Sequence, residues 1–152
     1  MKEKSLSLRW VRHGGADYKA LVDLRRAILR RPLGLDFTKE QLAAEISQFH
    51  LGAWEGDRLV GCLVLKIDAP GVIRMRQVAV AAAHQGTGVG RALVAESEAE
   101  ARRRGGKVLT LNSRDTAVAF YKRLGYAAEG ASFLEVGIPH LRMTKRLEKP
   151  KA

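Results

Sequence analysis

With 152 residues, 46% apolar and 28% charged, the chain can build one globular domain whose core closes without disulfides or metals, and no run approaches the roughly 18 apolar residues of a membrane span. The opening MKEKSLSLRW has two lysines and no apolar stretch behind them, so no secretory signal is expected and a cytoplasmic location is. A formal charge of +11 calls for something anionic, whether nucleic acid, an acidic membrane surface or a phosphate-rich small ligand, and net charge does not choose among them.

In chain order, Leu6 to Arg12 alternates like a first strand, and Asp17 to Arg31 carries Leu21, Leu24, Ile28 and Leu29 at helical spacing until Pro32 stops it. The loop PLGLDF leads to a second helix at Thr38, where Thr38 and Gln41 form a capping-box pattern. Strands at His50 to Trp54 and Arg58 to Lys66 are joined by EGD, a hairpin signal, and the apolar run around Cys62 makes that lone cysteine a small buried hydrophobe. Val72 to Val80 alternates strictly, with Arg74, Arg76, Val78 and Val80 on one face and Ile73, Met75, Gln77 and Ala79 on the other.

A glycine-rich stretch, HQGTGVG, then opens a helix to Arg104 with Glu98–Arg102 and Glu100–Arg104 expected as ion pairs four residues apart, ended by Gly105. A strand at Val108 to Asn112, a short helix from Thr116 to Leu124 closed by Gly125, and strands at Ala127 to Glu135 and Leu141 to Leu147 around the turn GIP complete the chain. The order is mixed α/β: a mainly antiparallel seven-stranded sheet with about four helices and one parallel βαβ unit. No repeat or linker divides it, so residues 1–147 are expected as a single domain and 148–152 as a basic tail.

Glycines at 86, 88 and 90 ahead of a helix ask what must approach the backbone. The first turn of a helix has free N–H groups and partial positive charge, and a strand-to-helix turn without side chains can wrap a phosphate. Arg91 in that turn opposes the helix dipole unless an anion sits nearby. The spacing is neither G-x-G-x-x-G, which would need glycine at position 91, nor a Walker A loop, so dinucleotide binding and nucleotide hydrolysis lack their patterns.

QGTGVG, Gln85 to Gly90, resembles the Q/R-x-x-G-x-G/A acetyl-coenzyme A (acetyl-CoA) signature of GNAT-type N-acetyltransferases, and AVAFYKRLGY resembles the family's A-x-x-x-Y-x-x-x-G-F/Y element. The order of elements agrees over nearly the whole chain, and FLEVGIPHLRM, with its G-x-P-H element, is similar to a segment of a small bacterial branch. The resemblance implies the GNAT fold with a βαβ acetyl-CoA-binding core. It implies that the backbone of Val78, Ala79 and Val80 pairs with the pantetheine arm, that Gln85, Gly86, Thr87, Gly88, Val89, Gly90 and Arg91 hold the pyrophosphate, and that Tyr121, beside Phe120, donates to the coenzyme A sulfur. An aromatic packed on an amphipathic helix is the alternative for Tyr121. Asn112 is a further cofactor candidate, since Arg114 stands where the family often has asparagine.

Acetyl transfer needs a neutral amine, an oxyanion donor and a proton for the departing thiolate. The fourth strand offers arginines where some relatives have a carboxylate, which leaves His140 as the titratable candidate for base and acceptor contact, against a structural histidine. His84 is placed beside phosphate, and His13 and His50 carry no assignment. Arg25, Arg30, Arg74 and Arg76 could bind an acidic acceptor. The acceptor is an amine on a small molecule or a protein, no metal is called for, and the resemblance favours a homodimer. A non-catalytic acyl-CoA sensor and a basic nucleic-acid-binding domain are the alternatives; for the second, the chain lacks a nucleic-acid motif and interleaved aromatics, so neither a nucleic acid nor a membrane is expected as partner.

Overall fold

The computed structural model describes residues 5–147; the basic tail expected at 148–152 lies outside the described residues. Seven strands form one sheet in the order β1-β2-β3-β4-β5-β7-β6. They are β1 Leu6–Val11, β2 Phe49–Glu55, β3 Arg58–Ala69, β4 Val72–Val80, β5 Val108–Arg114, β6 Ala127–Glu135 and β7 Ile138–Arg146, with helices α1 Ala16–Arg25, α2 Lys39–Ala44, α3 Val89–Arg103 and α4 Val118–Arg123. The pairings β1–β2, β2–β3, β5–β7 and β6–β7 are antiparallel and β4–β5 is parallel, which is the mixed α/β architecture read from the sequence. Among the described residues no helix is long and apolar enough to cross a membrane.

The chain falls into two compact units: one runs to Lys66 and adds Gln77–Ser97, the other takes Ile67–Arg76 and the chain from Glu98. In the first, Leu21, Trp54, Cys62 and Ala79 pack together under Val11, Leu24 and Ile28. Cys62 is fully buried and burial pushes its thiol up to about 12, so it is the inert small hydrophobe its setting implied. Gly61 decides where α3 starts: a Cβ there would lie 2.8 Å from Val89 and 2.9 Å from Leu93, so only glycine lets the first turn of α3 press onto β3.

The helix expected to Arg31 is shorter. α1 ends at Arg25, a wider π turn takes Arg26–Arg30 and a 3-10 turn holds Pro32 near its start, where the missing N–H costs nothing. The capping box forms as spelled: Thr38 Oγ1 accepts from the Gln41 N–H at 3.1 Å and Gln41 Oε1 accepts from the Thr38 N–H at 2.9 Å.

In the second unit, Ile73, Met75, Leu109, Leu111 and Met143 are buried. The helix expected at Thr116 begins as α4 at Val118 after a 3-10 turn over Asp115–Ala117. α4 ends in a Schellman motif, with the Tyr126 N–H on Tyr121 O and the Gly125 N–H on Lys122 O, both at 3.0 Å, and Gly125 at φ 96. β6 and β7 meet through Val136 and Gly137, both at positive φ (46 and 78), a tight two-residue hairpin turn. This corrects the turn read at GIP: β7 starts at Ile138, and His140 stands inside the strand opposite Phe133 and Arg114.

Candidate functional site

The glycine loop lies in the first unit. The Ala81 N–H donates to Val60 O at 2.8 Å, tying the exit of β4 to β3, and Ala82–His84 make one 3-10 turn. Two side chains staple the loop to itself, because the Gln85 amide donates to Val80 O at 3.1 Å and the Thr87 hydroxyl donates to His84 O. The expectation for Gln85 therefore narrows to its backbone. Gly86 and Gly88 take φ of 78 and 96, and a Cβ at either would meet nothing within 4 Å, so the space over the backbone is open. The first rung of the helix is the Ala92 N–H on Gly88 O at 3.0 Å, which leaves the N–H groups of Val89, Gly90 and Arg91 without a carbonyl inside the helix. An open, pre-folded run of amides at a positive helix end fits a pyrophosphate.

β4 breaks its alternation just before this loop. Gln77 sits at φ 53, rare for a residue with a Cβ, and the parallel ladder with β5 covers only Val72–Met75 and Val108–Leu111. This corrects the strict alternation read across Val72–Val80. A buried Gln77 Oε1 has no hydrogen-bond partner among the described residues. Ala79 is core, whereas Val78 and Val80 are half-buried, so backbone contact is what this stretch can give an amide-bearing arm. His84, assigned beside phosphate, has its Nε2 3.4 Å from Glu55 Oε1.

One arginine assignment is corrected. Tyr18, Leu21, Val22 and Arg25 share the inner face of α1, so Arg25 is 1% exposed and grips Glu45 with NH1 and NH2 at 2.8 and 2.7 Å. The Tyr18 hydroxyl donates to the same carboxylate at 2.8 Å, and His50, buried alongside, meets Glu45 O at 2.9 Å. Arg25 is therefore a structural ion-pair partner and is not available to an acceptor. Arg74, in the second unit, pairs with Asp68 at 3.0 Å and stays partly exposed. Arg30 lies over the Phe37 ring at 4.6 Å with its NH1 on Leu29 O at 3.1 Å, and Arg76 is half-buried on β4.

In the second unit Tyr121 is 6% exposed, set edge-on to Phe120 at 5.0 Å and to Tyr126 at 5.8 Å. Burial pushes its phenol well above the ordinary value, so the proton stays on the oxygen throughout the physiological range. Beneath it the expected Glu98–Arg102 pair is absent. Glu98 lies on the buried face of α3, where its carboxylate takes the Tyr126 hydroxyl at 2.8 Å and Lys145 Nζ at 3.0 Å, while Arg102 is exposed. Glu100 does pair with Arg104, at 2.8 Å, and also with Arg103. The sequence held one sign of this network: Glu98 interrupts an apolar helix stripe between Val94 and Ala101.

His140 is 4% exposed, with Nδ1 2.9 Å from Ile138 O and Nε2 3.4 Å from Glu135 Oε2. With Nδ1 taken up by the carbonyl, Nε2 is the ring nitrogen that faces Glu135. Asn112 is half-buried inside β5, opposite Arg142, since the strand runs two residues further than read.

A stapled glycine loop at a helix start, on a seven-stranded mixed sheet of this order, defines an acyltransferase built to hold a coenzyme A ester. Residues 33–147 match the acetyltransferase (GNAT) domain, and the chain belongs to that family of N-acetyltransferases, with acetyl-CoA as cosubstrate. Among curated proteins it is 32% identical over 97 residues to the uncharacterized N-acetyltransferase YjcF of Bacillus subtilis, covering 63% of this chain and 69% of that one. Among solved structures, an acyl-CoA N-acyltransferase from Pseudomonas aeruginosa superposes with TM-score 0.79 at 23% identity, covering 93% of this chain and 99% of that one. An aminoglycoside 6'-N-acetyltransferase in complex with coenzyme A gives TM-score 0.75 at 18% identity, covering 96% and 99%.

Proposed function

We propose that residues 1–147 act as one catalytic domain that transfers acetyl directly to a primary amine, with Tyr121 as general acid. Acetyl-CoA supplies the thioester carbonyl that the amine attacks, the carbon–sulfur bond breaking as the new carbon–nitrogen bond forms. The amides of Gly86 to Arg91 hold the pyrophosphate, and the backbone of Val78 to Val80 takes the pantetheine amides as a strand edge would. Tyr121 keeps a proton on its hydroxyl oxygen for the departing sulfur. His140 Nε2 accepts the proton that the amine must lose, which balances the exchange. The G-x-P-H segment, Gly137 to His140, supports assignment to a small bacterial branch of the family, and a homodimer is part of the same proposal.

The observation that supports the acid role is the Tyr121 hydroxyl, on a ring fixed by the Schellman turn that ends α4 and by its edge-on contacts with Phe120 and Tyr126. The test combines calorimetric titration of acetyl-CoA with a thiol-release screen of primary amines, using the wild type, Gly88→Glu and Tyr121→Phe. Wild type is expected to bind and turn over, Gly88→Glu to lose binding, and Tyr121→Phe to bind as before while kcat falls about 10²–10⁴-fold. Full turnover by Tyr121→Phe would remove the acid role. Binding without thiol release from any amine would favour the sensor.

A further inference from the structure

The second unit carries a cleft of about 930 Å³ that the acetyl-transfer residues do not line. It lies where α3 gives way to β5. Because Val108 pairs with Arg146, Thr110 with Thr144 and Asn112 with Arg142, the pleat places Val108, Thr110, Arg142 and Arg146 on one face of the sheet. The cleft begins at the start of β5 and runs along β7 from Arg146 back to Arg142, two residues short of His140, which does not line it.

Four cations, Arg102, Lys107, Arg142 and Arg146, line it against one carboxylate, Glu129, which lies 3.4 Å from Arg142. Among the described residues that line it, cations therefore outnumber carboxylates. Like charges gathered around a concavity repel one another unless an anion enters.

Independent of that charge, Thr110 points to the same occupant. It is 2% exposed, it lines the cleft, and its hydroxyl has no hydrogen-bond partner among the described residues. A buried hydroxyl left unpaired is costly and uncommon, and a phosphate oxygen would accept its proton. Val72, Val108 and Leu147 add an apolar floor, which inorganic phosphate alone would leave uncovered. The volume falls in the range of small-molecule sites, about 300–1,000 Å³.

We propose that this cleft binds an organic phosphate of the nucleotide class. Its phosphates meet Lys107, the arginines and the Thr110 hydroxyl, its ring lies over the apolar floor, and Glu129 accepts from a ligand hydroxyl or amine. The site is distinct from the glycine loop. Coenzyme A carries the same adenosine-phosphate chemistry, so the test separates the two sources.

ATP is titrated calorimetrically into the full chain saturated with coenzyme A, and into Gly88→Glu without it. One equivalent is expected to bind in both. Lys107→Glu, at an exposed position, is expected to weaken ATP about tenfold or more, through loss of one charge-assisted contact and gain of a repulsive one. Thr110→Val keeps the shape and removes the orphaned hydroxyl. It should weaken ATP about 2–10-fold while leaving the thermal midpoint of the ligand-free protein unchanged or higher. A hydroxyl that merely supports the fold would instead lower that midpoint. Three results would overturn the proposal: no ATP binding at millimolar concentration, complete displacement of ATP by coenzyme A, or ATP affinity unchanged in both Lys107→Glu and Thr110→Val.

Discussion

Truncating Glu45 to alanine leaves the Arg25 guanidinium buried without its carboxylate, with only the Phe37 ring 4.7 Å away over it. The two side chains are 1% and 3% exposed, the carboxylate takes Arg25 NH1 and NH2 at 2.8 and 2.7 Å, and Arg25 Nε already has no partner among the described residues. Removing one partner of such a pair costs about 3–5 kcal/mol. At about 2–4 °C per kcal/mol for a chain of this size, the midpoint should fall by roughly 6–20 °C. Replacing both residues by methionine removes the stranded charge together with its partner, and the double variant should return to within about 1 kcal/mol of wild type. The Tyr18 hydroxyl would retain Leu42 O, 3.4 Å away, as an acceptor. Urea and thermal unfolding of the two single variants and the double variant, followed by circular dichroism, give the coupling directly. A Glu45→Ala cost below about 1 kcal/mol, or a double variant as unstable as the sum of the singles, would refute the argument that burial makes this pair interdependent.

Gly88→Ala should lower stability by about 1–2 kcal/mol through the φ of 96 alone, since its Cβ meets no neighbour, and weaken acetyl-CoA as the loop relaxes; an unchanged midpoint would count against strain there. Burial is the main cause that pushes His50 below the ordinary histidine value. Above about pH 6.5 both folded and unfolded forms are neutral, and below it the unfolded chain takes up the proton first, so stability should fall as pH drops from about 6.5. Urea midpoints at pH 7.5, 6 and 5 should show that fall in wild type and a shallower one in His50→Gln. Tyr126→Phe deletes the 2.8 Å hydrogen bond to Glu98 and should cost about 1.5–3 kcal/mol in urea unfolding while acetyl-CoA affinity stays unchanged.

Local chemistry was legible because it needs only neighbours along the chain. The capping box at Thr38 and Gln41, the stop at Gly125, the EGD hairpin and the glycine loop each follow from backbone requirements within five or six residues. The alternation of Val72–Val80 was legible for the same reason, and it failed at Gln77, where a positive φ is not written into the side chain. The hairpin at Val136–Gly137 was misplaced because a β-branched residue in the left-handed region goes against its own preference.

What the sequence determined by itself was therefore the order of elements, the family signature and the glycine loop at the start of α3. Only the tertiary structure decided which charges are spent inside. Arg25 reads as one surface arginine among many until Glu45, twenty residues on, meets it in the core, and Glu98 turns from Arg102 on its own helix to Lys145, 47 residues away. The cleft beside Thr110 likewise exists only because β7 inserts between β5 and β6. Burial and partnership are properties of distant segments brought together, and periodicity along one segment carries no record of which partner arrives.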